Sequence, residues 1–86
     1  METLNTLYDI AAEDYRQMKS MLKDTKHDIK QTIKFIEILK INNVESQEQE
    51  SKLQILNGYK ENLTNDLKVI KSIIRRLDNI KKTYSI

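Results

Sequence analysis

Residues 15–39 read YRQMKSMLKDTKHDIKQTIKFIEIL, and the spacing of their apolar side chains decides the fold. These side chains recur in alternating steps of three and four residues, which is typical of a helix packed along another helix. Extended in both directions, this first stripe has eleven positions, of which nine are apolar when Tyr is counted. The positions are Leu4, Tyr8, Ala11, Tyr15, Met18, Leu22, Thr25, Ile29, Thr32, Ile36 and Leu39.

A second stripe with the same spacing occupies the other half of the chain, and eight of its ten positions are apolar. The positions are Leu53, Leu56, Lys60, Leu63, Leu67, Ile70, Ile74, Leu77, Lys81 and Tyr84. Both stripes fit the a and d positions of a heptad repeat, so each predicts one long amphipathic helix.

The two stripes are out of phase with each other, and a polar stretch separates them. Within this stretch Ser46 and Gln49 have the spacing of a capping box, which marks the start of a helix. We therefore predict helix 1 over about 4–42, a loop over about 43–46 and helix 2 over about 47–84, in a single domain spanning 1–86.

Two equal helices joined by a short polar loop are expected to fold back on each other. The fold class is therefore all-α, an antiparallel two-helix hairpin that resembles a coiled coil. The composition agrees, because one Gly and no Pro in 86 residues leave too few turn residues for a strand-rich fold. A helix break at Gly58, or two long helices that continue into each other, are the alternatives.

The hairpin also predicts which residues meet. In an antiparallel pair the numbers of facing a and d residues have a constant sum, and 92 suits the apolar pattern. This register sets Tyr8 against Tyr84 and Lys81 against Ala11.

One edge of the predicted hairpin is apolar. The g positions of both helices lie along this edge, with c positions beside them, and together they hold too much apolar surface for a small protein to leave in water. We expect this g/c face to complete a helical bundle, either with a second copy of the chain as a homodimer or with a different protein. Its residues are Leu7, Ile10, Met21, Phe35, Ile38, Ile55, Tyr59, Ile73 and Ile80, with Val69 beside them.

The opposite edge, formed by b and e positions, is basic. The register sets Lys19 against Lys71, a like-charge contact that weakens a hairpin by a few tenths of a kcal/mol. This basic patch is a candidate site for nucleic-acid phosphates or an acidic protein, although a solvated Lys-rich surface explains it more simply. Its residues are Arg16, Lys19, Lys23, Lys68, Lys71 and Arg75.

Catalytic and metal-binding patterns are missing from the sequence. There is no Cys, and the single histidine, His27, falls at an outward f position. Asp28 and Asp66 come close in the predicted register, but two carboxylates are too few for a metal site. We therefore expect no enzymatic activity, no cofactor and no small-molecule substrate.

The expected function is that of a small interaction protein, either a regulator or inhibitor or a subunit of a helical assembly. A dimeric nucleic-acid-binding regulator is the alternative, which a net charge of only +2 makes less attractive. No apolar run reaches the ~18 residues of a membrane span, and no export signal is visible at the start. We expect an intracellular protein that does not act at a membrane.

Overall fold

Two long α-helices make up nearly all of the described chain. The computed structural model describes residues 2–84, so the predicted domain extends one residue before and two residues after this part. Helix α1 spans Glu2–Ile41 and helix α2 spans Gln47–Tyr84. Compared with the expected bounds, α1 begins two residues earlier and ends one residue earlier.

The two helices lie side by side. They contain 40 and 38 residues, so each is about 57–60 Å long at ~1.5 Å per residue. The molecule measures 68 × 14 × 14 Å, which leaves room for one helix length only. The chain therefore returns alongside itself, which confirms the predicted all-α antiparallel hairpin. Its radius of gyration of 19.3 Å is well above the ~12 Å of a compact domain of this length.

The seam between the helices is formed by the two apolar stripes. All eleven positions of the first stripe are buried or partly buried, as are eight of the ten positions of the second. Burial is deepest near the turn, where Thr32 is 4% and Ile36 is 7% exposed. The hydroxyl of Thr32 donates to the carbonyl of Asp28 at 2.7 Å, so this polar seam residue is satisfied. Ile36 is the only buried hydrophobic residue in the described part, and the core is accordingly thin.

Helix α1 ends in a Schellman motif. The amide of Val44 donates to the carbonyl of Leu39 at 2.8 Å, and the amide of Asn43 donates to the carbonyl of Lys40 at 3.1 Å. Asn43 has a φ of 56°, in the left-handed region that Asn tolerates better than most residues other than Gly. The asparagine therefore stops the helix and satisfies two of its terminal carbonyls.

The start of α2 differs in detail from the predicted capping box. The carbonyl of Ser46 accepts from the amide of Glu50 at 2.9 Å, as expected of a residue at the N-cap. The reciprocal side-chain bonds between Ser46 and Gln49 are not among the hydrogen bonds of the described residues. Ser46 is instead buried in the turn, only 9% exposed.

The predicted register is wrong at both ends of the hairpin. Tyr84 does not pair with Tyr8, since it is 66% exposed. The Tyr8 ring instead has the ammonium of Lys81 at 4.6 Å from its centroid. Near the turn, Gln49 and Thr32 line the same groove. The sum of 92 would instead place these two residues about three helical turns apart along the hairpin. Both differences place α2 nearer to the open end of the hairpin than the sum of 92 does, and the burial of Ser46 against the end of α1 agrees with this shift.

Gly58 does not interrupt α2, which is continuous from Gln47 to Tyr84. A Cβ added to Gly58 would have no other atom within 4 Å, so the residue faces open space. Glycine at this position lowers the free energy of unfolding, because it is more flexible than other residues in the unfolded chain. No steric contact in the folded chain requires a glycine there.

Replacing Gly58 with Ala should raise the free energy of unfolding by about 1 kcal/mol, because the helix keeps its geometry and the unfolded chain loses freedom. Denaturation followed by circular dichroism at fixed protein concentration measures the change. Ser72→Ala at a second exposed α2 position is the control, with an expected change of only a few tenths of a kcal/mol. A lower stability for Gly58→Ala would contradict a continuous helix.

The Schellman turn generates a second expectation. Asn43→Val should lower the free energy of unfolding by about 1–2 kcal/mol, since a β-branched residue is strained at positive φ. Asn43→Gly should be as stable as the original chain or more so. Asn65→Val, at an exposed helical position, controls for the loss of the amide, and an equal effect at both sites would refute the turn geometry.

Candidate interaction surfaces

The g/c face is solvent-exposed along the whole hairpin. Its large apolar side chains retain between 41% and 61% of their accessible surface. The exposed residues are Leu7, Ile10, Met21, Phe35, Ile38, Ile55, Tyr59, Val69, Ile73 and Ile80. The two helices therefore position all of them outside the seam, on one elongated surface.

The total surface of the chain is large for its mass. A compact monomer of 10.2 kDa exposes about 5,300 Å², whereas this chain exposes 6964 Å². The excess is roughly 1,650 Å², about twice the ~800 Å² that each partner contributes to an interface of standard size. The hairpin thus has enough unburied area for one substantial interface.

Three further apolar side chains are exposed away from the g/c face. Ile33 lies on the opposite edge, while Ile41 and Val44 lie at the turn, and Ile41 is 78% exposed. These three residues were not predicted to be exposed apolar side chains, because none of them belongs to either stripe or to a g or c position. Tyr84 is exposed as well, at the last position of the second stripe. Scattered single residues of this kind are ordinary on protein surfaces.

The carboxylates on the g/c face do not belong to a larger group of metal-ligating side chains among the described residues. Asp28 lines the groove that also contains Phe35 and Lys52, so a base shares its surroundings. Within residues 2–84 no three His, Asp or Glu side chains are grouped closely enough to hold a metal ion. The chemistry of this face is that of apolar contact.

The basic patch consists of exposed side chains, most of which are not in ion pairs. Arg16 pairs with Glu13 one turn away. Among the described residues, the patch has no other ion pair within 4.0 Å. The ammonium of Lys19 lies 5.8 Å from the centroid of the Tyr15 ring, a weak cation–π contact. Most of the positive charge is therefore directed to solvent.

One ion pair joins the two helices on the basic edge. Lys40 on α1 and Glu50 on α2 are 3.3 Å apart and join the two helices beside the turn. Three heptads further toward the open end, the same relation is occupied by Lys19 and Lys71. These two positions thus have two cations in the heptad relation that has opposite charges at the turn.

One basic residue was not predicted to belong to this edge. Lys60 occupies an a position of the second stripe, yet it is exposed and lines a shallow depression with Lys26, His27 and Lys30. A lysine in an apolar seam extends its ammonium toward water, and the nearest water here is on the basic edge. A lysine at an otherwise apolar a position was the feature of the sequence that could have predicted this exposure.

Comparisons with other proteins add no functional information. No family model matches this chain, and neither a curated protein nor a solved structure matches it. Neither of the two described helices contains a stretch apolar enough to traverse a lipid bilayer. The two surfaces described above are therefore the basis for a functional proposal.

Proposed function

We propose that the protein is a non-enzymatic interaction module whose g/c face packs against another helical surface. The supporting observation is the apolar area of this face on a hairpin whose described residues include a single buried hydrophobic side chain. At ~25 cal/mol per Å², covering even half of such a face supplies a large driving force for association. The module acts as a subunit of a helical assembly or as a regulator that occupies a helical interface of another protein.

A second copy of the chain is the partner that we propose for this face. The thin core gives a lone hairpin little to offset the entropy of ordering two long helices. A second copy brings an identical apolar face, and two such faces in contact form a four-helix bundle with a full core. The proposal includes an intracellular setting, which suits a chain that has no cysteine to form disulfides.

Self-association should be visible as a solution mass of twice 10.2 kDa by light scattering after size exclusion. The double variant Phe35→Asp, Ile73→Asp should weaken the dimer by at least about a hundredfold, since it sets charges in an apolar contact. The melting temperature of the original chain should also rise with protein concentration, as it does when folding and association are coupled.

Ile33→Asp is the matched control. Ile33 is 41% exposed and Ile73 is 43% exposed, but only Ile73 lies on the g/c face. The control should leave the mass unchanged. A double variant with the mass of the original chain would exclude the g/c face as the interface. A monomeric original chain with a melting temperature independent of concentration would exclude self-association.

A further inference from the structure

We propose that the basic edge of the hairpin binds the phosphate backbone of double-stranded nucleic acid. The binding surface is a basic stripe, which we define as the basic patch together with Lys26 and Lys30. It lies on the edge opposite to the g/c face, so this activity is independent of the interface proposed above.

The α1 half of the stripe is an unbroken row of cations. All b and e positions between residues 16 and 30 are basic, and all are exposed. The row is about 21 Å long and has about one cation per helical turn, because b and e positions recur every three or four residues. The residues are Arg16, Lys19, Lys23, Lys26 and Lys30. A duplex carries one phosphate charge per ~1.7 Å of its axis, so a row of this length faces several phosphates at once.

The α2 half adds a second row beside the first. Its three consecutive b and e positions are Lys68, Lys71 and Arg75, and all are exposed. No ion pair between the described residues neutralises these three side chains. Lys71 lies opposite Lys19 in the relation that Lys40 and Glu50 have at the turn. A bound polyanion would be attracted by both of these cations.

The make-up of the stripe favours a duplex over other polyanions. An anionic membrane surface is bound by basic side chains together with several apolar anchors, whereas Ile33 is the one large apolar side chain exposed on this edge of the described residues. Single strands are bound through exposed aromatic rings on which bases stack, whereas the exposed Tyr59 lies on the g/c face and the exposed Tyr84 lies at the end of α2, beyond the stripe. Lysine is a point charge that contacts phosphates without reading bases. We therefore expect binding that depends on salt and tolerates any sequence.

Fluorescence anisotropy with a labelled duplex of mixed sequence tests the proposal. A length of about 20 base pairs at ~3.4 Å each matches the 68 Å hairpin. The original chain should bind at low salt, with an affinity that falls steeply as salt is raised. The variant Lys19→Gln, Lys23→Gln, Lys71→Gln should bind at least about tenfold more weakly, and its salt slope should fall by about two to three.

The control variant changes the same net charge outside the stripe. It is Lys34→Gln, Lys52→Gln, Arg76→Gln, whose f, g and c positions lie off the basic edge, and it should bind the duplex within about twofold of the original chain because it removes no stripe contact. An equal loss of affinity in both variants would mean that binding depends only on net charge, and it would overturn the proposal. Failure of the original chain to bind the duplex at low salt would overturn it as well.

Two competition measurements separate a duplex from other acidic partners. Poly-L-glutamate and phosphatidylserine vesicles are added to the labelled complex at matched charge. Unlabelled duplex should displace the label several-fold more effectively than either competitor. Displacement by either one at the same charge concentration as the duplex would overturn the assignment to nucleic acid. Because the stripe variants leave the g/c face intact, these results do not depend on self-association.

Discussion

Two helices packed side by side can bury only the stripe of each that faces the other, and this limit governs the molecule. The seam has the expected residues, yet only Ile36 among its hydrophobic side chains is buried in the described part, with 7% of its surface still exposed. The neighbouring side chains remain partly exposed to water, because the described residues form two helices and no third helix that could cover them. The free energy that apolar burial can supply therefore depends on surfaces that the hairpin itself leaves open.

The helices and the seam were predictable because they depend on a repeating pattern. Apolar spacing reports which side of a helix faces its neighbour, whatever the path of the connecting turn. The exposure of the g/c face follows from the same geometry. Each helix of a pair buries only the a and d positions that face the other helix, so the g and c positions remain exposed to solvent. Gly58 was consistent with a continuous helix for this reason, as its f position needs no side chain.

The register was not predictable from the same pattern. When α2 is shifted along α1 by one heptad, a positions again face d positions, although different residues meet. The apolar stripes alone therefore allow more than one register. The choice is made by the backbone of the turn, where the positive φ of Asn43 and the burial of Ser46 direct the chain back beside α1. The exposure of Lys60 beside the basic edge was not predicted either, because the pattern does not show that a long flexible side chain can extend from the seam into solvent.

The two proposed activities have a geometric consequence when they are combined. If two hairpins meet through their g/c faces, the opposite edges point outward on the two sides of the bundle. The two basic stripes of a dimer then face away from each other, with the bundle between them, and a single straight duplex cannot contact both. A dimer would thus bridge two duplexes, or two distant segments of one, and each stripe would bind with its own affinity. Bridging of this kind requires the g/c face and the basic stripe in the same molecule, although each would work without the other.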